Sequence, residues 1–302
     1  MKIKLISYIL LFLSVVWLVK IIYESSLSLN YNQIQLKSGY LLISFICILF
    51  FLLLNSLNYH FLSRFYKIET SFRQNSLVYL KSYLSLYLPG KIGLLLARIM
   101  NHNKNDKKIE ITGIYFIESI IGMLSSVFVA VGVIIDFYSW YYFTFIVIGM
   151  LLILHPKILI IFTKILRKIV KSSDSNYIEH KHSYFLFCII FTINSVKWLL
   201  FGLGLNLVII GIADIHIDPI YIVSGYSASS ILAMFAVFSP SGIGVMEVSL
   251  SYIYALKMPM EFAVLFSIVF RIWKIVSELI LVPILIYLIK NYNFLDYKET
   301  KV

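Results

Sequence analysis

The stretch "YLPGKIGLLLARIM", residues 87 to 100, places a proline, two glycines, a lysine and an arginine inside a chain that is otherwise mostly apolar helix. A second stretch, "FSPSGIGVMEVSLS", residues 238 to 251, repeats the pattern, because in both a proline is followed four residues later by glycine. Pro89 and Pro240 lie half of the 302-residue chain apart. Two matching interruptions at this separation indicate an internal repeat rather than two unrelated kinks.

The composition indicates an all-α polytopic membrane protein. Hydrophobic residues make up 60% of the chain and charged residues only 14%, and the mean hydropathy is +0.89. No polar stretch is long enough for a separate soluble domain, so residues 1–302 are expected to form a single integral membrane domain of about six to eight transmembrane helices. The predicted spans are 5–23, 39–58, 111–135, 141–165, 183–212 and 262–289, and the broken segments lie near 78–99 and 220–256.

The distribution of Lys and Arg predicts the orientation of these spans in the cell membrane. Basic residues precede the first span, follow the second, flank the first broken segment and close the chain, whereas the loop at 211–219 carries only acidic charge. Both termini are therefore expected to be cytoplasmic. The segment 78–99 should then be a re-entrant hairpin that opens to the cytoplasm, and 220–256 either re-enters from the outer face or crosses twice. The re-entrant alternative is compatible with an inverted repeat whose halves are residues 1–165 and 183–302.

The interruptions themselves predict a site for an anion. The prolines break the incoming half-helix, and the glycines allow positive φ and a close backbone approach. The next half-helix then starts inside the membrane with free N–H groups and the positive end of its dipole, which suits a phosphate. The turn residues in this prediction are Pro89, Gly90, Gly93, Pro240, Gly242 and Gly244. Lys91 and Arg98 would add positive charge, whereas Glu247 would pair with a cation or an intramembrane arginine.

Further charges cluster in the last span. Arg271, Lys274 and Glu278 share one helix face by their spacing, and charges at this depth are expected to face the interior of the bundle. Lys274 and Glu278 could form a structural ion pair, while Arg271 lacks an equally obvious partner in its own helix. Glu247 or Glu118 could supply that partner, and Lys197 is a further intramembrane charge.

These motifs resemble those of the lysylphosphatidylglycerol synthase transmembrane region family, which read roughly Pro-Gly-Gly-x-Gly-x-Asp-x-x-Arg and Pro-Gly-Gly-x-Gly-x-x-Glu. The second motif matches at Pro240, Gly242, Gly244 and Glu247, with Ser241 in place of one glycine. In the first motif the matching residues are Pro89, Gly90, Gly93 and Arg98. Lys91 there replaces a glycine, Leu95 stands where the family has an acid, and Glu118 falls where an acid is common.

The resemblance implies lipid handling. It suggests flippase-like translocation of an anionic or phosphate-bearing lipid, or of a lipid-linked sugar, in cell-envelope biogenesis. The substrate-binding residues would be those of the two motifs together with Glu118, Arg271 and Lys274. Membrane lipids and envelope-polymer synthesis enzymes would be the partners, with no nucleic acid.

Two other classes remain open. One is a non-transporting accessory protein of polysaccharide or glycolipid synthesis, and the other is a glycosyltransferase that uses a polyprenyl-phosphate sugar. The sequence carries no recognisable catalytic motif, metal-ligand cluster or cofactor-binding pattern and no soluble synthase domain, which argues against an enzyme but leaves the glycosyltransferase alternative open. It does not specify an oligomeric state.

Overall fold

The computed structural model describes residues 36–68, 70–87, 92–102, 108–137, 149, 183–213, 215–236 and 242–291, and these residues form helices with no β-strand among them. In chain order the helices are α1 (Ser38–Phe65), α2 (Phe72–Tyr83), α3 (Ile92–Asn101), α4 (Lys108–Phe137), α5 (Ser183–Ala213), α6 (Pro219–Phe235), α7 (Val245–Ala255) and α8 (Met260–Asn291). A short 3-10 helix, Leu84–Tyr87, continues α2. The predicted all-α fold is therefore confirmed.

Four of these helices, α1, α4, α5 and α8, are long and apolar enough to span a membrane. An α-helix needs about 20 apolar residues to cross the hydrocarbon core, and α1 alone has 28. These helices confirm the predicted spans at 39–58, 111–135, 183–212 and 262–289. The predicted spans at 5–23 and 141–165 lie outside the described residues.

Helices α1 and α5 pack closely against each other and run antiparallel. The rings of Phe51 and Phe201 lie 5.0 Å apart, and those of Phe65 and Phe187 lie 5.1 Å apart near one end of the pair. At the other end the backbone N–H of Lys37 donates to the carbonyl of Gly211 at 2.8 Å. The C-terminal ends of α1 and α5 therefore lie at opposite ends of the bundle.

Both broken segments fold as helical hairpins. In the first, α2 starts with a capping box in which Ser71 and Gln74 bond each other's backbone N–H groups, and α2 packs against α3. In the second, α6 starts at Asp218, whose side chain accepts from the N–H of Ile220, with proline in the first turn. Helix α7 returns antiparallel along α6, since the hydroxyl of Tyr221 donates to the carbonyl of Ile253 at 2.6 Å. The predicted helix interruptions are thus confirmed, although the tips at 88–91 and 237–241 lie outside the described residues.

The two hairpins open towards opposite ends of the α1–α5 pair. Helix α2 begins beside the C-terminal end of α1, where the rings of His60 and Phe72 lie 5.4 Å apart. Arg73 ties this end to the end of α8 by donating to the carbonyls of Ile289 and Lys290 at 2.9 and 2.7 Å. Helix α6, in contrast, starts a few residues after the C-terminal end of α5. This arrangement agrees with the expected opposed hairpins, and their re-entry into a membrane stays a prediction.

Candidate functional site

The turn before α7 has the backbone conformation that the glycine spacing predicts. Gly242 has a φ of +70° and Gly244 a φ of +87°, a region that side chains with a Cβ rarely adopt. Gly242 also packs tightly, because a Cβ at this position would lie 2.5 Å from the Cβ of Ala233 on α6. Glycine at 242 therefore permits both the turn and its contact with the opposite arm of the hairpin.

A carboxylate of the chain itself occupies the N-terminus of α7. Glu247 is 4% exposed, and its Oε2 accepts the backbone N–H of Gly244 at 2.6 Å. Its Oε1 lies 2.6 Å from Nε of Arg271 on α8. Of the two partners that the sequence allowed for Arg271, the structure therefore selects Glu247. Glu247 thus satisfies one of the N–H groups at this helix terminus, that of Gly244, and binding of an external anion there stays a prediction.

A second buried carboxylate organises the next turn of α8. Glu278 is 0% exposed, and its Oε1 accepts the hydroxyl of Tyr83 from α2 at 2.8 Å. The Nζ of Lys274 lies 4.0 Å from the same oxygen. The charged stripe of α8 thus faces the bundle interior, as its spacing predicts.

Arg98 pairs with a carboxylate on α4. It is 1% exposed, and both terminal nitrogens of its guanidinium donate to the carboxylate of Glu118 on α4. The rings of Tyr59, Tyr79 and Tyr115 surround it, with centroids 4.8, 5.1 and 5.9 Å from Cζ. Arg98 therefore has a carboxylate partner within the protein, and its role beside a bound anion stays a prediction.

The first motif differs from the second in its glycine. Gly93 lies in the first turn of α3 and does not have a positive φ, so the prediction of a positive φ there is wrong. Pro and Gly share the same spacing in both motifs, but α3 begins before its glycine and α7 begins after its own. The predicted turn residues Pro89, Gly90, Lys91 and Pro240 lie outside the described residues.

A cavity of about 470 Å³ lies where the two hairpins meet. Leu86 and Leu94 line it from the first hairpin, Gly242 and Met246 from the second, and Arg271 and Lys274 from α8. The rest of its wall is mainly aromatic and comes from α1, α2, α4, α5 and α6. Of the predicted site residues, the cavity wall brings together Gly242, Arg271 and Lys274.

The aromatic residues of the cavity wall were missed from the sequence, and three of them show why. Tyr83, Trp198 and Tyr226 line the cavity, and Tyr83 also supplies the hydrogen bond to Glu278. Tyr79 and Tyr83, spaced four apart in α2, could have indicated a functional helix face. Nothing in the sequence alone indicates the contributions of Trp198 and Tyr226, because these depend on how α5 and α6 pack.

The described residues contain no group of His, Cys, Asp or Glu side chains that could hold a metal ion. The cavity wall combines aromatic rings with two cationic side chains, Arg271 and Lys274, and each cation has a buried carboxylate beside it. Such a cavity can bind and orient an anionic group, since Arg and Lys are donors that suit phosphate oxygens.

Comparison with known proteins supports the resemblance of the motifs. No curated protein and no solved structure matches the chain. A family model described as the lysylphosphatidylglycerol synthase TM region matches residues 5–281, which is most of the chain. The protein therefore belongs to the lysylphosphatidylglycerol synthase transmembrane region family.

Proposed function

We propose that this membrane protein translocates a phosphate-bearing or otherwise anionic lipid, lipid-linked sugars included, between the leaflets of the cytoplasmic membrane. The observation that carries the proposal is the cavity at the meeting point of the two hairpins, with Arg271 and Lys274 in its wall. In helical transporters, substrate sites lie where interrupted helices of two repeats meet. The protein would serve cell-envelope biogenesis, with both of its termini on the cytoplasmic face.

The arrangement of charge favours an anionic headgroup. Arg271 and Lys274 line the cavity, whereas their carboxylate partners Glu247 and Glu278 are almost fully buried. A ligand in the cavity therefore meets the cations first. These fixed charges replace the water that a phosphate loses on leaving the membrane surface, which lowers the cost of desolvating the headgroup.

The size of the cavity suits a headgroup and not a whole lipid. Small-molecule sites span about 300 to 1,000 Å³, and this cavity measures about 470 Å³. Two acyl chains or an isoprenoid chain would not fit beside the headgroup and would remain in the surrounding lipid. The aromatic wall could also pack against the ring of a lipid-linked sugar.

Helix packing supports an inverted repeat in which α1 to α4 correspond to α5 to α8. Helix α2 packs against α8, and its counterpart α6 packs against α4. Likewise, α1 contacts α8 and α5 contacts α4. The ion pairs correspond as well, but with their charges exchanged. Arg98 on α3 pairs with Glu118 on α4, whereas Glu247 on α7 pairs with Arg271 on α8.

This correspondence suggests how the headgroup would move. In the present conformation the Glu247–Arg271 pair of the second half adjoins the cavity. The Arg98–Glu118 pair of the first half is instead enclosed by tyrosine rings. An exchange of conformations between the halves would expose the cavity to the other leaflet, as in other transporters built from inverted repeats.

Movement of fluorescent lipids in proteoliposomes tests the proposal. We expect the wild-type protein to move labelled phosphatidylglycerol faster than labelled phosphatidylcholine, and Arg271→Gln and Lys274→Gln each to reduce that preference. Lys257→Gln is the matched control, since Lys257 is exposed and does not line the cavity. Equal rates for both lipids in wild type, or no movement at all, would contradict the proposal.

A further inference from the structure

Behind the cavity wall, between α1 and α5, lies one more buried basic residue, Lys197. Lys197 is 8% exposed, and its Nζ donates to Oδ1 of Asn55 at 2.7 Å. The same Nζ lies 5.9 Å from the ring centroid of Phe51, which lines the cavity. Within the described part of the chain, no carboxylate lies at salt-bridge distance from Lys197. A buried ammonium with three donors and a single neutral acceptor is poorly compensated.

Asparagine side chains with unsatisfied amide atoms lie one turn away in the same interface. Three contacts between α1 and α5 share one antiparallel register, namely Phe51–Phe201, Asn55–Lys197 and Phe65–Phe187. That register places Asn58 of α1 opposite Asn194 of α5, and both residues are 0% exposed.

These amides require hydrogen-bond partners that the described residues do not supply. Both side-chain atoms of Asn58 and the Oδ1 of Asn194 lack a hydrogen-bond partner in the described part of the chain. An unmade buried hydrogen bond is destabilising, and buried polar sites of this kind are normally satisfied by water. Water held at Asn58 and Asn194 would lie one helical turn from the Lys197 amine.

We propose that Lys197 is a proton-exchange site that couples lipid movement to a proton gradient. This inference rests on the proposed function, because the coupled process is lipid translocation. In the exchange step an Nζ–H bond of the ammonium breaks, its electron pair stays on nitrogen, and the proton passes to a neighbouring water molecule. In the reverse step the neutral amine takes up a proton from a water molecule that reaches it in the other conformation of the protein. A buried amine suits this role because desolvation opposes its charge, while the hydrogen bond to Asn55 supports it.

The surrounding charges can link this proton to the conformation of the protein. Glu118 on α4 and Arg98 on α3 act on Lys197 electrostatically with opposite signs. They pair with each other here, so their opposite charges lie side by side. A rearrangement of the first hairpin that separates them would leave the Glu118 carboxylate to attract a proton to Lys197.

The other helices packed against α5 add few titratable groups. Helix α1 carries Tyr59 one turn beyond Asn55, and α6 contributes Tyr226, whose ring lies 6.1 Å from that of Trp198. Helix α8 contributes Arg271 and Lys274 on the cavity wall. The Arg98–Glu118 pair is thus the charged element best placed to control the proton on Lys197.

The test measures lipid movement and internal pH together in proteoliposomes that contain a trapped pH dye and labelled phosphatidylglycerol. One pH unit is worth about 1.4 kcal/mol per proton, so it can change the wild-type rate by up to about tenfold. We expect such a response in wild type, together with a lipid-dependent change in internal pH. Lys197→Gln should still move lipid but lose both effects, and the exposed-lysine control Lys257→Gln should keep them.

A second variant keeps the test decisive where Lys197→Gln fails to accumulate. Asn55→Asp gives the ammonium a carboxylate partner, which should hold the proton on Lys197 and also abolish the response to the gradient. A response that survives in either variant overturns the proton inference. Lipid movement in wild type without any response to pH overturns it as well, while leaving the proposed function intact. Absence of lipid movement in wild type overturns the proposed function itself.

Discussion

The two ion pairs between hairpin and span should respond differently to mutation, because only one of them adjoins the cavity. Arg98 is 1% exposed and both of its bonded nitrogens face Glu118. Removing one partner of such a pair leaves an uncompensated buried charge, which typically costs about 3–5 kcal/mol. We therefore expect Glu118→Gln to raise the unfolded fraction by roughly two to four orders of magnitude.

The pair at the cavity should cost less to break. In Arg271→Gln the Glu247 carboxylate keeps the N–H of Gly244 as a donor, and water can reach the cavity side. The free energy of unfolding should fall by about 1–3 kcal/mol, which is the cost of an incompletely satisfied buried group. The prediction is thus a larger loss of stability in Glu118→Gln and a larger loss of lipid selectivity in Arg271→Gln.

Denaturant unfolding of the purified protein in detergent measures the stability difference. The double variant Arg98→Met with Glu118→Leu serves as the control, because replacing both partners by apolar residues is often close to neutral. It should therefore be more stable than either single variant. Single variants that lose less than about 1 kcal/mol, or a double variant whose loss equals the sum of the two single losses, would refute this view of the Arg98 pair.

Three further predictions concern the turn, the buried carboxylate and the topology. Gly242→Ala should lower stability by about 1–3 kcal/mol, since it combines a φ of +70° with a Cβ at 2.5 Å from Ala233. Gly122→Ala, which meets no atom within 4 Å in helix α4, should have little effect or stabilise slightly in the same unfolding assay. Tyr83→Phe should cost about 1–3 kcal/mol by leaving Glu278 without its hydroxyl donor, whereas Tyr287→Phe at an exposed position should be neutral. Cysteines at Lys67 and Lys108 should react with an impermeant thiol reagent from one side of the membrane, and cysteines at Asp218 and Lys257 from the other. Labelling of 67 and 108 from opposite sides would show that the first hairpin crosses the membrane.

The helices could be predicted from the sequence because their signal is local. Apolar runs predicted α4, α5 and α8 within about three residues, whereas α1 extends to Phe65, beyond its predicted end at residue 58. The Pro/Gly interruptions predicted where the two hairpins bend. The spacing of Arg271, Lys274 and Glu278 was enough to place them on one buried face. Each of these features depends on residues close together in the chain.

The tertiary features could not be predicted in the same way. The partner of Arg271 lies 24 residues away on another helix, so the sequence left Glu247 and Glu118 as equal alternatives. The burial of Arg98 depends on tyrosines from α1, α2 and α4. Gly93 and Gly244 follow their prolines at the same spacing, yet only Gly244 has a positive φ, because the start of each helix depends on how its hairpin packs.

The location of the headgroup is the central claim, and photocrosslinking tests it most directly. A phosphatidylglycerol analogue with a photoreactive group on its headgroup would be added to the protein in liposomes, and the crosslinked residues would be identified by mass spectrometry. The account predicts crosslinks to the cavity residues Tyr115, Phe116 and Met246, and their loss in the double variant Arg271→Gln with Lys274→Gln. Crosslinks confined to outward-facing residues such as Phe50 and Leu279, unchanged by the double variant, would contradict it.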